Sequence, residues 1–226
     1  MARMARFVAP GYPHHVTQRG NRRQKTFFSD DDYRYYIELL SEYSKAYSTE
    51  VWAYCLMPNH VHLVMVPSEE DGLRATLGEV HRRYTRQVNF RKGWRGHLWQ
   101  ERFHSFVMDE KYLLATVRYV ERNPTVAKLC QHPTEWAWSS ARAHVTGVDD
   151  GLVQVKPMLD RISNWDEYLS DSNGIDKDAN DTIERHTRTG RPLGDSVFVS
   201  ELETISGRLL APRKPGRRSS ASGSDK

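Results

Sequence analysis

The sequence predicts an α+β fold in which strands and helices follow one another through the first half of the chain. Two periodicities support this prediction. Short segments rich in β-branched and aromatic residues, such as STEVWAYCLM at residues 48–57, are typical of strands. Longer segments, such as residues 70–91, repeat apolar residues every three or four positions, as an amphipathic helix does. The sequence therefore predicts a sheet covered by helices.

Seven elements are predicted in order along the chain. The strands are expected at residues 14–20, 48–57, 61–66 and 103–108, and the helices at residues 30–47, 70–91 and 110–123. Ser29 and Asp109 suit the N-caps of the first and third helices, because their side-chain oxygens can accept from free backbone N–H groups. Pro124 is expected to end the third helix, since proline has no N–H to donate.

The element order β-α-β-β-α-β-α predicts the architecture. The first six elements match the ferredoxin-like βαββαβ arrangement, an antiparallel four-stranded sheet with two helices on one face. The seventh element, the helix at residues 110–123, could then close over the other face, which would otherwise be open to a large substrate. We assign residues 1–147 to this domain.

Length and composition restrict the class of protein. A chain of 226 residues suits one domain with an extension, or two small domains. No apolar run reaches the roughly 18 residues that span a membrane, and the N-terminus lacks the apolar stretch of a signal peptide. Cys55 and Cys130 are too few for a disulfide scaffold or a cysteine-rich zinc site. We expect a cytoplasmic bacterial protein without a membrane partner.

Basic residues are clustered, although the net charge is only +4. The clusters at residues 19–25, 81–95, 118–122 and 212–218 are interleaved with aromatic residues, as expected for phosphate contacts combined with base stacking. Each cluster taken alone could equally be an ordinary solvated face. The residues predicted to contact nucleic acid are Arg19, Arg22, Arg23, Lys25, Arg82, Arg83, Arg86, Arg118 and Arg122.

Two histidines stand two residues apart in the predicted third strand, within CLMPNHVHLVM. Because side chains on a strand alternate with a period of two, His60 and His62 point to one face and Val61 points to the other. Two imidazoles on a rigid strand can form a metal-ligand pair. The simpler alternative is a pair of polar residues on an exposed face, since a bare His-x-His pattern has weak specificity.

The third helix carries a tyrosine and an asparagine on one face. Tyr119 and Asn123 are four residues apart, and Tyr119 is flanked in sequence by Arg118 and Arg122. A tyrosine in a positive environment near a metal could attack phosphorus, because both the cations and the metal would offset its high pKa. The alternatives are a half-buried helix tyrosine and an asparagine that only precedes Pro124.

Together these motifs resemble a known family. His60-Val61-His62 resembles the HUH motif of single-strand DNA nucleases. MPNHVHLV followed by RYVERNP, with HHVTQRGN before them and WAWSSARAH after them, is similar to the REP-associated tyrosine transposases, a group of single-tyrosine transposases. The similarity covers about residues 7 to 147.

The resemblance implies a mechanism. His60 and His62 would bind Mg²⁺ or Mn²⁺, with Asn123 at the position of a third, side-chain-amide ligand. Tyr119 would form a 5′-phosphotyrosine bond and leave a free 3′-OH. The partners would be single-stranded DNA hairpins such as palindromic repeats, bound by a nucleoid-associated monomer or homodimer.

Two other functions remain compatible with the sequence. One is a hairpin-binding protein or repressor that does not cleave DNA. The other is a metal-dependent nuclease in which water replaces Tyr119. If a tyrosine is the nucleophile, Tyr112 is its rival, because seven residues of helix bring it to nearly the same angle as Tyr119.

The remaining chain is predicted to be an extension and a tail. Residues 148–210 suggest a helical C-terminal extension, whose last helix would bury Phe198, Leu202, Ile205 and Leu209. Residues 211–226 are basic and lack hydrophobic periodicity, so we predict a disordered tail.

Overall fold

The computed structural model describes residues 6–171 and 176–211. Its strands are β1 (His14–Arg19), β2 (Thr49–Met57), β3 (His60–Pro67) and β4 (His104–Val107), and its first three helices are α1 (Asp30–Ala46), α2 (Gly72–Lys92) and α3 (Glu110–Val126). These elements follow the predicted order. Ser29 and Asp109 stand at the N-caps of α1 and α3, as predicted, and Asp109 Oδ1 accepts from the backbone N–H of Tyr112 at 3.0 Å.

The end of α3 differs from the prediction. Pro124 lies inside this helix, which continues to Val126 and closes through an Ala127 N–H to Asn123 carbonyl bond of 2.9 Å. Proline near the end of a helix removes only the one N–H that it would itself have donated, so the following residues can still complete a turn. The expectation that Pro124 ends the helix is therefore wrong, and α3 ends three residues beyond the predicted residue 123.

The strands form one antiparallel sheet in the order β2-β3-β1-β4. This is the predicted ferredoxin-like order, with β3 and β1 in the centre. The register places His62 opposite Thr17 of β1 and Cys55 of β2, and His60 opposite Arg19. Side chains of the central strands therefore have neighbours on both sides, which fixes their direction.

The two faces of the sheet have different partners. Val16, Leu63 and Met65 point to the face that packs against α1 and α2. Val64 and Phe106 point to the opposite face and pack against α3. The predicted two-layer arrangement with a third helix across the free face is confirmed.

Within the described ranges, five further α-helices follow α3. They are α4 (Ala141–Thr146), α5 (Lys156–Leu159), α6 (Trp165–Ser170), α7 (Asp176–Thr189) and α8 (Ser196–Ser206). Met158 of α5, Trp165 of α6 and Ile183 of α7 are buried in the same hydrophobic cluster as Phe106 of the sheet. The helical extension thus adds to the layer of α3.

Part of the extension departs from the sequence pattern. Phe198 and Leu202 of α8 are buried as predicted, but Ile205 and Leu209 are exposed. Ile205 lies on the exposed side of α8, and Leu209 follows the end of α8 at Ser206 and the turn at Gly207. The domain boundary at residue 147 stays a prediction. So does the basic tail, of which residues 212–226 lie outside the described part of the chain. No helix within the described ranges is long and apolar enough to cross a membrane.

Candidate active site

The two histidines of the HVH motif lie on the sheet face that α3 covers. Val61 and Leu63 alternate with the two histidines along β3 and are fully buried against α1 and α2. Because side chains on a strand alternate between the faces of the sheet, His60 and His62 point to the opposite face. Their ring centroids are 4.9 Å apart. The predicted placement of both imidazoles on one face is confirmed, and the exposed-face alternative does not apply to His62, which is buried.

Each ring is held through its Nδ1 atom. His60 Nδ1 lies 2.6 Å from Asn59 Oδ1, and the Asn59 amide nitrogen donates to the carbonyl of Arg23 at 3.2 Å. An amide oxygen only accepts, so His60 Nδ1 carries the proton and Nε2 keeps its lone pair. His62 Nδ1 lies 3.0 Å from Nε2 of His15.

Burial keeps these imidazoles neutral. Desolvation, with a smaller contribution from Arg19, lowers the pKa of His60 to about 4. The pKa of His62 is also lowered, first by burial and then by the neighbouring His60, His15 and Arg19. A neutral imidazole is the form that binds metal ions.

Tyr119 of α3 stands against these rings. Its ring centroid is 5.6 Å from that of His62, with the planes nearly perpendicular. Asn123, one turn further, donates from its amide nitrogen to the Tyr119 carbonyl at 3.3 Å. The spacing of four predicted from the sequence thus brings both side chains of α3 into the site.

The pKa of Tyr119 is raised above its ordinary value. Burial is the main cause, and the carboxylate of Glu184 on α7 acts in the same direction. A side-chain hydrogen bond with Asn123 and the positive charge of Arg19 act against them. The cation that stabilises the phenolate is therefore Arg19, not the arginines next to Tyr119 in sequence.

A cleft of about 760 Å³ joins these groups. Its lining residues come from β1, β3, β4, α3, α7 and two connecting segments: Thr17, Gln18, Arg19, Arg23, His60, His62, Gln100, Glu101, His104, Tyr119, Asn123, Glu184, Thr187 and Arg188. All four residues predicted for catalysis and metal binding line it.

One of the predicted basic clusters lies at this cleft. Arg19 and Arg23 line it, and the exposed Arg22 and Lys25 belong to the same segment. Gly20 permits this segment to fold back, because a Cβ there would lie 2.3 Å from the Gln24 carbonyl. The fold-back is tied to the HVH turn by a bond from Gly20 N–H to the Asn59 carbonyl of 2.8 Å.

The arginines of α2 lie elsewhere. Arg82 lines a separate groove, which meets the cleft only at Gln18 and Glu101. Arg83 turns toward Glu79 and the ring of Tyr43, and Arg86 is exposed on the same helix. The structure therefore does not bring this cluster together with Tyr119, His60 and His62.

Arg118 and Arg122 contact the C-terminal extension. Arg118 is 7% exposed, and both guanidinium groups donate to the carbonyl of Asp171 beyond α6. Arg118 also lies over the ring of Tyr168. Successive helix side chains are about 100° apart, so Arg118 faces away from Tyr119. The predicted DNA contacts of Arg118 and Arg122 stay a prediction, and the cation that lowers the pKa of Tyr119 is Arg19.

Sequence reasoning missed His15 and the residues from α7. His15 is buried, and its ring stacks on His62 with centroids 5.3 Å apart. Its position in HHVTQRG, on the same face as Thr17, was a usable signal once β1 is paired with β3. Glu184, Thr187 and Arg188 of α7 gave no such signal, because only the tertiary fold brings them to the cleft.

The cleft offers a small set of side chains that could hold a metal ion. Among the described residues, no three His, Cys, Asp or Glu side chains converge as a metal site. The available donors are two imidazoles with free Nε2 atoms and the amide of Asn123, a set that lacks the third imidazole or thiolate typical of zinc centres.

Comparison with known proteins agrees with this geometry. A family model described as "Transposase IS200 like" matches residues 10–123, which is half of the chain and includes every catalytic candidate. A putative REP-associated tyrosine transposase of Haemophilus influenzae is 27% identical over 132 residues, covering 52% of this chain and 73% of its own length. A solved REP-associated tyrosine transposase bound to a REP hairpin shares the fold, with a TM-score of 0.56 and 20% identity over 69% of this chain and 90% of its own. The chain belongs to the IS200-like transposase family.

Proposed function

We propose that this protein cuts and rejoins single-stranded DNA beside hairpins, with Tyr119 as the nucleophile. The observation that carries the proposal is the position of the Tyr119 ring against His62, in a cleft that also holds His60, Asn123 and Arg19. The arrangement combines a nucleophile, neutral imidazole donors and a basic rim, which are the groups that phosphoryl transfer requires.

His60 and His62 would hold Mg²⁺ or Mn²⁺ through their Nε2 atoms, with Asn123 as the third protein ligand. When bound, such an ion withdraws negative charge from a phosphate and so lowers the barrier to attack. Asn59 fixes the orientation of His60 for this purpose.

Tyr119 would attack the scissile phosphorus. The new bond joins the phenolic oxygen to phosphorus, the bond from phosphorus to the 3′ oxygen breaks, and that oxygen takes up a proton as a free 3′-OH. The raised pKa means that the phenol is protonated at neutral pH, so its proton must leave as the bond forms. Arg19 favours this loss by stabilising the phenolate.

The basic segment after β1 would grip the DNA backbone. Arg19 and Arg23 line the cleft, and Arg22 and Lys25 extend the positive surface outward. Phosphate contacts of this kind position a nucleic acid without reading its sequence. A hairpin substrate is proposed because a relative of the same fold was solved bound to a REP hairpin.

The test is covalent trapping on a single-stranded hairpin labelled at either end. Attack by Tyr119 leaves the protein on the 5′-phosphate of the downstream fragment, so only the 3′-label should migrate with the protein. Tyr119→Phe keeps the ring and removes the oxygen, and should abolish the adduct. Tyr112→Phe is the matched control, since Tyr112 lies two turns away beside Lys111.

Each other outcome points to a different function. Cleavage without any adduct would indicate a water nucleophile, and hairpin binding without cleavage would indicate a binding protein. An adduct that survives Tyr119→Phe but not Tyr112→Phe would reassign the nucleophile. Undiminished cleavage in EDTA would contradict the proposed metal requirement. Equal cleavage of a fully paired duplex of the same sequence would contradict the proposed preference for single-stranded hairpins.

A further inference from the structure

His15 of β1 makes a direct contact with a proposed metal ligand. The register pairs Thr17 with His62, so His15, two residues before Thr17 on the same face, is the diagonal neighbour of His62. The two rings are stacked within 9° of parallel, and His15 Nε2 lies 3.0 Å from His62 Nδ1. His15 is 1% exposed, so water does not compete for this contact.

A threonine of the C-terminal extension holds the other side of the His15 ring. Thr187 Oγ1 of α7 lies 3.4 Å from His15 Nδ1. The same hydroxyl donates to the Ile183 carbonyl at 2.9 Å. A hydroxyl has one proton, and Thr187 donates it to the Ile183 carbonyl. Thr187 Oγ1 can therefore only accept a hydrogen bond from His15 Nδ1.

These contacts fix the direction of each hydrogen bond. His15 donates from Nδ1 to Thr187, and a neutral imidazole has only one N–H, so its Nε2 is an acceptor. His62 must then donate from Nδ1 to His15, which leaves His62 Nε2 with its lone pair. His60 reaches the same state through Asn59, so both histidines of the motif expose the same ring nitrogen.

We propose that His15 and Thr187 are positioning residues that set the tautomer and ring orientation of His62 for metal binding. The inference rests on the proposed function, because it assigns these residues to the metal site of that function. It also makes α7 a part of the site, since a residue 125 positions away in the chain orients His62 through His15. Partners of this kind behind a ligating histidine raise metal affinity about 10- to 100-fold.

The test compares variants of the full-length chain by two measurements. The first is the Mn²⁺ affinity by calorimetry, and the second is the tautomer of His62 by ¹⁵N NMR of the imidazole nitrogens without metal. His15→Phe keeps the ring shape without nitrogens and should weaken Mn²⁺ binding by about 10- to 100-fold. It should also convert His62 from a single Nδ1–H tautomer to a mixture.

Two further variants separate positioning from a general loss of structure. His15→Gln can still accept from His62 and donate to Thr187, so it should restore most of the affinity lost in His15→Phe. Thr187→Val removes the hydroxyl at constant shape and should weaken Mn²⁺ binding. Thr189→Val removes a hydroxyl on the same helix, one that bonds only to local backbone, and should leave both measurements unchanged.

The outcomes distinguish this inference from the proposed function. If the native chain binds no Mn²⁺, the metal-dependent function fails, and so does the positioning role. If the native chain binds Mn²⁺ and His15→Phe and Thr187→Val change neither the affinity nor the His62 tautomer, the inference alone is overturned. Equal loss in His15→Gln and His15→Phe would also overturn it.

Discussion

Tyr119 is surrounded by groups that act on its phenol in opposite directions. Burial and the negative charge of Glu184 favour the protonated form, whereas Asn123 and Arg19 favour the phenolate. Glu184 is half exposed and pairs with Arg188 at 3.1 Å. The reactivity of Tyr119 therefore depends on a residue of α7 that can be changed without touching the core.

Replacing Glu184 by glutamine should shift DNA cleavage to lower pH. The change removes a negative charge and releases Arg188, and both effects lower the pKa of Tyr119. Below that pKa, each unit of decrease gives about tenfold more phenolate. The rate of adduct formation between neutral and alkaline pH measures the shift, with Glu201→Gln on the exposed face of α8 as control. Identical pH profiles for the two variants would contradict this account.

The relative positions of candidate site residues were predictable from the sequence where they follow from the period of a single strand or helix. The strand period alone places His60 and His62 together, and the helix period places Tyr119 above Asn123. His15 was missed because its contact depends on the register between β1 and β3, a long-range property. The contacts of Arg118 were not predicted because the helix period gives its angle to Tyr119 but not the identity of the surface that it faces.

Helix α3, which carries Tyr119, is anchored on the side away from the cleft. Glu121 is fully buried and joins α3 to α4 and α6: it accepts from Ser140 at the N-cap of α4, from His144 Nδ1 of α4 at 2.6 Å and from Trp165 Nε1 of α6 at 2.8 Å. Arg118 and Arg122 reach the Asp171 carbonyl beside this cluster. The position of Tyr119 is thus set by polar contacts on the opposite face of its own helix.

Glu121→Ala should destabilise the fold by about 3–5 kcal/mol. The substitution leaves the buried donors of His144 and Trp165 without this acceptor, whereas the Ser140 hydroxyl keeps the Tyr54 carbonyl at 3.3 Å. Removing one partner of a buried polar cluster typically costs this much. Urea unfolding followed by tryptophan fluorescence measures the change. Glu110→Ala, at the exposed start of α3, breaks the pair with Arg161 and should cost less than about 1 kcal/mol. A similar decrease in the free energy of unfolding in the two variants would contradict the proposed stabilising role of the Glu121 cluster.

At the scale of the whole molecule, the cleft is made by both halves of the chain. The sheet supplies the histidines and Arg19, while the extension supplies Glu184 and Thr187. The sheet order was predictable, because six consecutive local patterns admit few topologies. The packing of α7 was not, since its amphipathic pattern says that one face is buried but not against which surface.

Buried neutral histidines should make the fold sensitive to acid. His14 is fully buried, with Nε2 accepting from the Ala9 N–H at 3.1 Å and Nδ1 donating to the Tyr12 carbonyl at 2.8 Å. Burial lowers its pKa from 6.5 to about 4. Between pH 6.5 and pH 4, His14 is protonated in the unfolded chain but stays neutral in the folded chain. The contribution of His14 to the free energy of unfolding is therefore fully present above pH 6.5 and is lost as the pH falls toward 4.

His14→Gln should therefore reduce the acid sensitivity of the protein. Glutamine keeps one acceptor and one donor but does not titrate, so the loss of unfolding free energy between pH 7 and pH 4.5 should be smaller than in the native chain by about 2 kcal/mol. Urea unfolding at a series of pH values measures it, and the exposed His97→Gln is the matched control. Other histidines, among them His15, His60 and His62, have pKa values lowered in the same direction and remain in both variants. The remaining acid sensitivity is assigned to such histidines and to the carboxylates. If His14→Gln loses stability with falling pH as steeply as His97→Gln, the buried neutral state of His14 does not contribute to the pH dependence of the fold.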